Sequence, residues 1–217
     1  MINKYLTDLR NQKKFFPETI LDIGANVGNF TRQCKTIWPL TNSIMIEGTR
    51  ECSFSLSTIG EKFYIELLGD EDGKKVTFYK TKVSATNTGN SIYKENSVHY
   101  NDEKVIKEER KLVKLDSLLQ NFQRPIDFAK LDTQGSELNI LKGGIKTLSK
   151  CKYILIEVSL KYYNEGVPLK DEIVNFMSSM GYNNKEVIET HVWNSMEKVD
   201  DIRMGDIYQE DIMFIKD

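Results

Sequence analysis

Cysteine, histidine and proline are scarce in this chain. Its 217 residues include three cysteines, two histidines and four prolines. Cys34, Cys52 and Cys151 are odd in number and widely spaced, with no Cys-x-x-Cys pair, which argues against a disulfide framework. A chain of this length buries enough surface to fold without a metal or disulfide staple. We therefore expect a reduced, cytoplasmic protein.

Long apolar runs and an excess of one charge are also lacking. No stretch approaches the roughly 20 apolar residues that a membrane-spanning helix needs, and the first residues lack the apolar core of a signal peptide. The formal net charge is -2, and lysines and arginines are interleaved with acids. Binding to nucleic acid requires a concentrated basic face. We expect no nucleic-acid partner and no membrane insertion.

What the sequence does contain is an alternation of short β-like runs with amphipathic helical stretches. This pattern predicts an α/β fold: a doubly wound, Rossmann-like sheet of seven mostly parallel strands, with helices on both faces and an antiparallel last strand. We expect one domain over residues 1–217. The predicted strands are 19–23, 43–47, 63–68, 126–131, 153–158, 182–189 and 211–215, with a further strand at 76–79. The main predicted helices are 29–38, 50–59, one starting at 136, and 169–180.

Residues 81–110 differ from the rest because they are rich in Asn, Ser, Lys and Glu and show little periodicity. Such a stretch is either a solvated excursion or a lid over a substrate. His99 lies within it and is a candidate general base after lid closure. Residues 87–91 (Asn-Thr-Gly-Asn-Ser) either contact a polar acceptor or form a plain turn.

The strongest local signal is residues 21–28 (Leu-Asp-Ile-Gly-Ala-Asn-Val-Gly), between a predicted strand and a predicted helix. A dinucleotide fingerprint starting at Gly24 needs glycine where Asn26 and Asn29 stand, and the Gly-Lys-Ser/Thr of a P-loop is missing as well. A glycine turn at this position still lets the backbone approach a ligand closely. The pattern indicates a ligand other than a dinucleotide or a triphosphate.

Three carboxylates refine this interpretation. Asp22 beside the glycine turn would repel a pyrophosphate but suits a ligand with an ammonium group, such as S-adenosylmethionine. Glu47 ends the second strand, where doubly wound folds place an acid that accepts the ribose hydroxyls. Asp70, after the third strand, is either an acceptor for the adenine amino group or simply part of a turn.

Together these motifs resemble the class I methyltransferase fold and, more narrowly, the FkbM family. The most family-specific piece is residues 128–137 (Phe-Ala-Lys-Leu-Asp-Thr-Gln-Gly-Ser-Glu), and residues 46–47, 68–70, 113–118, 141–143 and 210–214 also match. The resemblance implies O-methylation of a small molecule or carbohydrate with S-adenosylmethionine as cofactor. The predicted cofactor-binding residues are Asp22, Gly24, Asn26, Gly28, Glu47, Gly69, Asp70 and Asp132.

The candidate catalytic residues are Asp132, Glu157 and His99. Asp132 ends the fourth predicted strand, where open α/β sheets place ligands. It either binds the methionine end of the cofactor or helps to deprotonate the acceptor, and as a base it needs its pKa raised by burial or by a neighbouring acid such as Glu157. The two acids could instead hold a divalent metal, although no histidine-rich ligand set accompanies them.

Other residues and functions stay open at this stage. His191 follows the sixth strand and is either a base or a surface residue, while Tyr162 and Tyr163 either wall the acceptor pocket or pack at the rim of the core. The alternatives to O-methylation are N- or C-methylation on the same fold, or a non-catalytic cofactor-binding subunit. The glycine pattern disfavours a dehydrogenase.

Overall fold

The computed structural model describes residues 1–82, 84, 86–97, 100, 103–196, 199 and 201–217. The helices are α1 (Ile2–Asn11), α2 (Asn29–Ile37), α3 (Ser53–Ser57), α4 (Leu115–Leu118), α5 (Glu137–Gly143), α6 (Ile145–Leu148) and α7 (Lys170–Ser179). The strands are β1 (Thr19–Ile23), β2 (Asn42–Glu47), β3 (Lys62–Ile65), β4 (Leu67–Leu68), β5 (Lys75–Thr81), β6 (Val105–Val113), β7 (Phe128–Leu131), β8 (Tyr153–Ser159), β9 (Asn184–Val192) and β10 (Ile207–Ile215).

Seven of these strands form one sheet in the order β3-β2-β1-β7-β8-β10-β9. The contacts among β3, β2, β1, β7 and β8 are parallel, and β10 runs antiparallel to both β8 and β9. This confirms the predicted α/β fold with an antiparallel last strand. The strand order reverses between β1 and β7, which is where doubly wound folds bind ligands.

The register of the sheet aligns the predicted site residues. Ile23 pairs with Ile46 on one side and with Leu131 on the other, and Leu131 pairs with Ile156. The residues that follow, Gly24, Glu47, Asp132 and Glu157, therefore lie in one row at the carboxyl edge of the parallel strands.

Alternate residues of the central strands pack on opposite faces of the sheet. Leu21 and Ile23 of β1 join the core built with α4 to α7, whereas Ile20 packs with residues of α1 and α2 such as Leu6 and Cys34. Because both faces are covered, β1 and β7 are buried along their whole length. This explains the continuous apolar runs in the sequence.

Residues 81–110 do not form one irregular stretch. Strands β5 and β6 pair antiparallel from Lys75–Lys111 to Thr81–Val105, and β4 joins β6 in a separate three-stranded sheet. The connection is thus residues 82–104. Four of the nine residues of β6 are exposed, and the charged residues Lys107 to Lys111 occupy both faces of the strand. The alternation of apolar and polar residues that marks a strand is therefore missing. The lid itself stays a prediction.

Two other element predictions need correction, and one helix was missed. The predicted strand 63–68 is two strands, β3 in the large sheet and β4 beside β6. The predicted helix 50–59 is a 3-10 turn, Arg50–Cys52, followed by the short α3. Helix α1 was not predicted, although it buries Leu6 and Leu9. Within the described residues, no helix is both long and apolar enough to cross a membrane.

Candidate active site

A cavity of about 330 Å³ opens at the carboxyl ends of β1, β2 and β7. This volume lies in the range of small-molecule sites. Four of the predicted cofactor-binding residues line it, namely Gly24, Asn26, Glu47 and Asp132. The walls also include residues that the motifs did not single out for the cofactor: Phe30, Thr49, Leu67, Leu68, Phe78, Asn87, Asn90, Ser91, Lys130, Gln134, Ser136 and Ile140.

The turn after β1 is fixed by backbone hydrogen bonds to β2. The N–H groups of Gly24 and Ala25 donate to the carbonyl oxygen of Ile46 at 2.9 and 3.1 Å. Gly24 has a φ of +75°, and a Cβ placed on it would lie 1.7 Å from the carbonyl oxygen of Asp132. Glycine is therefore required here both by conformation and by the close approach of the loop after β7.

Glu47 holds two loops beside the cavity. Its Oε2 accepts a hydrogen bond from the N–H of Asn26 at 2.8 Å, and its Oε1 accepts one from the N–H of Thr49 at 2.7 Å. Glu47 is 8% exposed. Each carboxylate oxygen has a second lone pair. The buried carboxylate can therefore accept a further hydrogen bond from a hydroxyl group in the cavity.

Lys130 lies between two carboxylates on the same side of the sheet. Its Nζ is 2.9 Å from Asp132 Oδ2 and 3.9 Å from Asp22 Oδ1. Asp22 is fully buried and accepts a hydrogen bond from the hydroxyl of Thr31 at 2.7 Å. Burial raises the pKa of Asp22, and the Lys130 charge opposes that shift. Asp22 is not among the cavity-lining residues, so it acts here on Lys130 from behind the cavity wall.

Gly28, Gly69 and Asp70 likewise lie outside the cavity lining. Gly28 precedes α2 with a φ of +83°, and a Cβ on it would come 2.2 Å from the Ile59 side chain. Gly69 packs its carbonyl oxygen against Gly143 of α5. The carboxylate of Asp70 pairs with Lys74 at 3.5 Å. In this structure the three residues shape the loops around the cavity, and their predicted cofactor contacts stay predictions.

A second cavity of about 340 Å³ adjoins the first. Asn87, Thr88, Asp132 and Gln134 line both cavities. The other lining residues of the second cavity come from the loop 82–104 and from the edge of the sheet beyond β7: Gly89, Glu95, Tyr100, Glu157, Tyr163, His191, Tyr208 and Gln209. Among these, Tyr163 and Tyr208 pack together with Trp193, with ring centroids 5.1 to 5.6 Å apart.

The two candidate catalytic carboxyls have opposite pKa shifts. Burial acts to raise the pKa of Asp132, but the Lys130 ammonium and hydrogen bonds from Lys130 and Gln134 outweigh it, so the pKa lies below its ordinary value. Burial and the charges of Asp132 and Asp211 raise the pKa of Glu157 well above its ordinary value. The raised pKa that a carboxyl base would need is thus on Glu157 instead of Asp132.

Glu157 is held by two amide groups. Its Oε2 accepts hydrogen bonds from Gln134 Nε2 at 2.6 Å and from Gln209 Nε2 at 3.0 Å. Gln134 also donates to Asp132 Oδ1 at 3.3 Å, so one side chain bridges the two carboxyls. Gln134 has a φ of +57°, and the buried Glu137 accepts the N–H groups of Thr133 and Gly135. These contacts fix the loop that carries Asp132.

The loop 82–104 contributes directly to both cavities. Asn26 Nδ2 donates to the carbonyl oxygen of Thr86 at 3.0 Å, and the Ser91 hydroxyl donates to the carbonyl oxygen of Gln134 at 2.8 Å. The loop is therefore attached to both glycine-containing turns. His99, the third candidate catalytic residue, lies outside the described residues.

The family model for the methyltransferase FkbM domain matches residues 22–183. The chain belongs to the FkbM methyltransferase family. No sequence match was found among curated proteins. The match covers the strands that form the first cavity and ends before β9 and β10, which supply His191, Tyr208 and Gln209 to the second.

Solved structures resemble this FkbM protein in fold. An O-methyltransferase from Bacillus cereus in complex with S-adenosylhomocysteine has a TM-score of 0.52 at 13% identity, covering 100% of this chain and 80% of that one. The plantazolicin methyltransferase BamL has a TM-score of 0.52 at 10% identity, covering 99% and 83%. Precorrin-6y C5,15-methyltransferase from Geobacter metallireducens has a TM-score of 0.51 at 10% identity, covering 99% and 88%. At such low sequence identities the likeness shows only a shared fold, the Rossmann-like fold of these methyltransferases.

The protein is thus an S-adenosylmethionine-dependent methyltransferase, and the first cavity fits that methyl donor. Glu47 is a buried carboxylate that faces a cavity of small-molecule size. A carboxylate at this position of a doubly wound fold can accept hydrogen bonds from the sugar hydroxyls of an adenosine. Gly24, which has no side chain, lines the same cavity with its backbone. S-adenosylmethionine supplies an electrophilic methyl group on a sulfonium.

Proposed function

We propose that this FkbM protein transfers the methyl group to a hydroxyl oxygen of a small-molecule or carbohydrate acceptor held in the second cavity. One observation carries the proposal: Asp132 and Gln134 line both cavities. A donor in the first cavity and an acceptor in the second would meet at these two side chains, and alignment of the reactants accounts for much of the catalysis.

The lining of the second cavity supports a hydroxylated acceptor. Its carboxyl and amide groups, from Asp132, Glu157 and Gln209, offer hydrogen-bond partners for hydroxyls. Tyr163 and Tyr208 offer aromatic faces and phenolic hydroxyls, which suit a ring with both apolar and polar sides. The predicted contribution of Tyr163 to the acceptor pocket stays part of this proposal. Tyr162, which is about half exposed, is not among the lining residues.

We assign different roles to the two carboxyls. Asp132 is ionised because Lys130 lowers its pKa, so it binds a hydrogen-bond donor or a positive charge at the junction of the cavities. Glu157 presents Oε1 to the second cavity because Oε2 is taken by two amides, and it positions the acceptor. Gly24, Asn26 and Glu47 hold the methyl donor.

The three cysteines of the chain are free and buried. We propose a reducing, cytoplasmic setting for the protein, which these free thiols support. A single domain over residues 1–217, with the loop 82–104 as a cover for both cavities, completes the proposed organisation.

The experiment is a panel of acceptors incubated with S-adenosylmethionine, with S-adenosylhomocysteine formation as the readout. The panel pairs methyl hexosides with the matching aminohexosides, and simple phenols with anilines. We expect product from hydroxyl members, with the methyl group on oxygen by mass spectrometry and NMR. Methylation on nitrogen or carbon would support the rival acceptor classes.

Binding of S-adenosylhomocysteine without turnover of any panel member would favour the non-catalytic subunit. A divalent metal held by the acid pair is tested in the same assay by adding a chelator and restoring Mg²⁺. Within the described residues no group of three or more His, Cys, Asp or Glu side chains has the arrangement of a metal site. Activity that the chelator leaves intact is the expected result for the proposed mechanism.

A further inference from the structure

His191 lies at the far end of the polar row from the first cavity. In the sheet it pairs with Gln209 of β10, and Asp211 pairs with Glu157 of β8. Residues two apart on a strand point to the same face. His191, Gln209, Asp211 and Glu157 therefore share the face that carries Asp132, and His191 lines the second cavity together with Glu157 and Asp132.

One nitrogen of the imidazole is committed to Asp211. His191 Nε2 lies 2.8 Å from Asp211 Oδ2, and the Asp211 side chain is 7% exposed. A buried carboxylate on one ring nitrogen fixes the ring and places the proton on that nitrogen. Nδ1 is then the unprotonated nitrogen, and within the described residues no hydrogen bond to it is recorded.

From this arrangement we infer that His191, oriented by Asp211, is the base that takes the proton of the acceptor hydroxyl. The inference rests on the proposed function. The acceptor O–H bond breaks and its proton goes to Nδ1, while the oxygen forms a bond to the methyl carbon. The carbon–sulfur bond breaks with its electron pair passing to sulfur, which leaves neutral S-adenosylhomocysteine. The His191 side chain is 33% exposed, so the imidazolium can return its proton to solvent.

The carboxyls nearby are less suited to this step. Asp132 is held ionised by Lys130, and its lowered pKa makes it a weak base. Glu157 has one oxygen occupied by two amide donors, and its Oε1 lies 3.9 Å from His191 Nε2. The base would also lie outside the residues that the family model matches, in the part of the chain that we expect to differ with the acceptor.

The charges around His191 set the sign of its pH dependence. The hydrogen bond to Asp211 raises the pKa of His191, burial opposes this, and the charges of Asp211, Glu189 and Asp132 add to the rise. Glu157 of β8 faces it at 3.9 Å, and Glu189 on its own strand is paired with the Met1 amino group at 3.2 Å. The neutral base form therefore becomes populated at a higher pH than in an ordinary histidine, and activity should rise with pH through this raised pKa.

The test uses two ligands that differ by one methyl group and one charge. The imidazole of His191 is titrated by NMR in protein labelled at histidine, with His191→Gln assigning its signal among the two histidines of the chain. If His191 faces the reacting atoms, saturation with S-adenosylmethionine should lower its pKa by about 0.5 or more relative to S-adenosylhomocysteine, because of the nearby sulfonium charge. Equal pKa values with both ligands bound would overturn the inference.

Variants separate the base from its orienting group. Asp211→Asn should lower the pKa of His191 in the same titration, and unchanged values would show that Asp211 does not orient the ring. With an acceptor from the panel, His191→Gln should reduce kcat by about 10²–10⁴ and remove the rising limb of the pH profile, whereas Asp211→Asn should move that limb to lower pH. Loss of the limb in Glu157→Gln with its retention in His191→Gln would assign the base to Glu157.

The two proposals fail in different ways. If neither S-adenosyl ligand binds the folded wild type, the proposed function fails. If both ligands bind and methyl transfer occurs, but the pKa of His191 is the same with either ligand bound, only the role of His191 is wrong. Thermal melting of each variant checks that the fold is retained.

Discussion

Gly24 and Asp132 are in direct contact across the carboxyl edge of the sheet, with the backbone of one turn lying on the backbone of the next. A Cβ on Gly24 would meet the Asp132 carbonyl oxygen at 1.7 Å and its carbonyl carbon at 2.7 Å. Backbone atoms cannot yield as a flexible side chain does. The contact therefore joins the donor-binding turn after β1 to the loop that carries the candidate catalytic acid.

Gly24→Ala should disrupt both turns. The positive φ costs about 1 kcal/mol for alanine. The added Cβ also forces the two backbones apart, so the total loss in the free energy of unfolding should be roughly 3 kcal/mol or more. Gly60→Ala is the matched control, because Gly60 has a φ of +78° with nothing within 4 Å of an added Cβ. Urea unfolding of both variants measures the difference, and equal losses would show that the contact does not matter.

Lys130 should be needed to stabilise the folded protein with the Asp22 carboxylate buried. Replacing it by Met leaves a fully buried carboxylate without its cation, which should cost about 3–5 kcal/mol. Lys130→Met combined with Asp22→Asn should recover much of that loss. Lys161→Met, which breaks the partly exposed pair with Asp206, should cost much less than Lys130→Met.

The pH dependence of Lys130→Met gives a second check. A raised pKa in the folded state means that the folded protein binds a proton more tightly than the unfolded chain. Stability of the variant should therefore rise as pH falls from 7 toward 5 and Asp22 becomes protonated. Urea unfolding across this range would contradict the assignment if the variant instead lost stability on acidification relative to wild type.

The sequence predicted the seven-stranded sheet because burial on both faces produces apolar runs that stand out. It failed where tertiary contacts decide the structure. No local sequence feature separates β3 from β4. They are two strands because β3 pairs with β2 in the large sheet, whereas β4 pairs with β6. Strand β6 was missed because exposed charges replace the apolar alternation on its open face.

For the site, residue type and strand position predicted which residues come to the carboxyl edge but not where each side chain points. Glu47 and Asp132 face the first cavity, whereas Asp22, two residues before Gly24, faces Thr31 and Lys130. Lys130 was not predicted as a site residue. The signal available in the sequence is a lysine inside an apolar strand, two residues before Asp132, and its strand lies next to the one that carries Asp22. His191 gained a partner only when β10 placed Asp211 beside it.

Glu47→Gln should weaken binding of S-adenosylhomocysteine at least about 10-fold, since one or more charge-assisted hydrogen bonds are lost. The amide nitrogen would also face a backbone N–H of Asn26 or Thr49, which disturbs the turn. Glu71→Gln, at an exposed position outside the cavity, should bind as wild type does. Calorimetric titration gives the affinities, with NAD as a ligand that should not bind. Wild-type affinity in Glu47→Gln would remove Glu47 from the site.

The two cavities should be separable by substitution. Tyr163 lines only the second cavity, so Tyr163→Leu should raise KM for the acceptor by roughly 10-fold through loss of an aromatic face. Its affinity for S-adenosylhomocysteine should stay within about twofold of wild type, because no ligand contact in the first cavity changes. Glu47→Gln provides the reciprocal case, with weakened donor binding. Steady-state kinetics and calorimetry on the same preparations make the comparison. A parallel loss of donor affinity in Tyr163→Leu would mean that the two spaces form one binding site, and the acceptor would then have to be sought elsewhere on the surface.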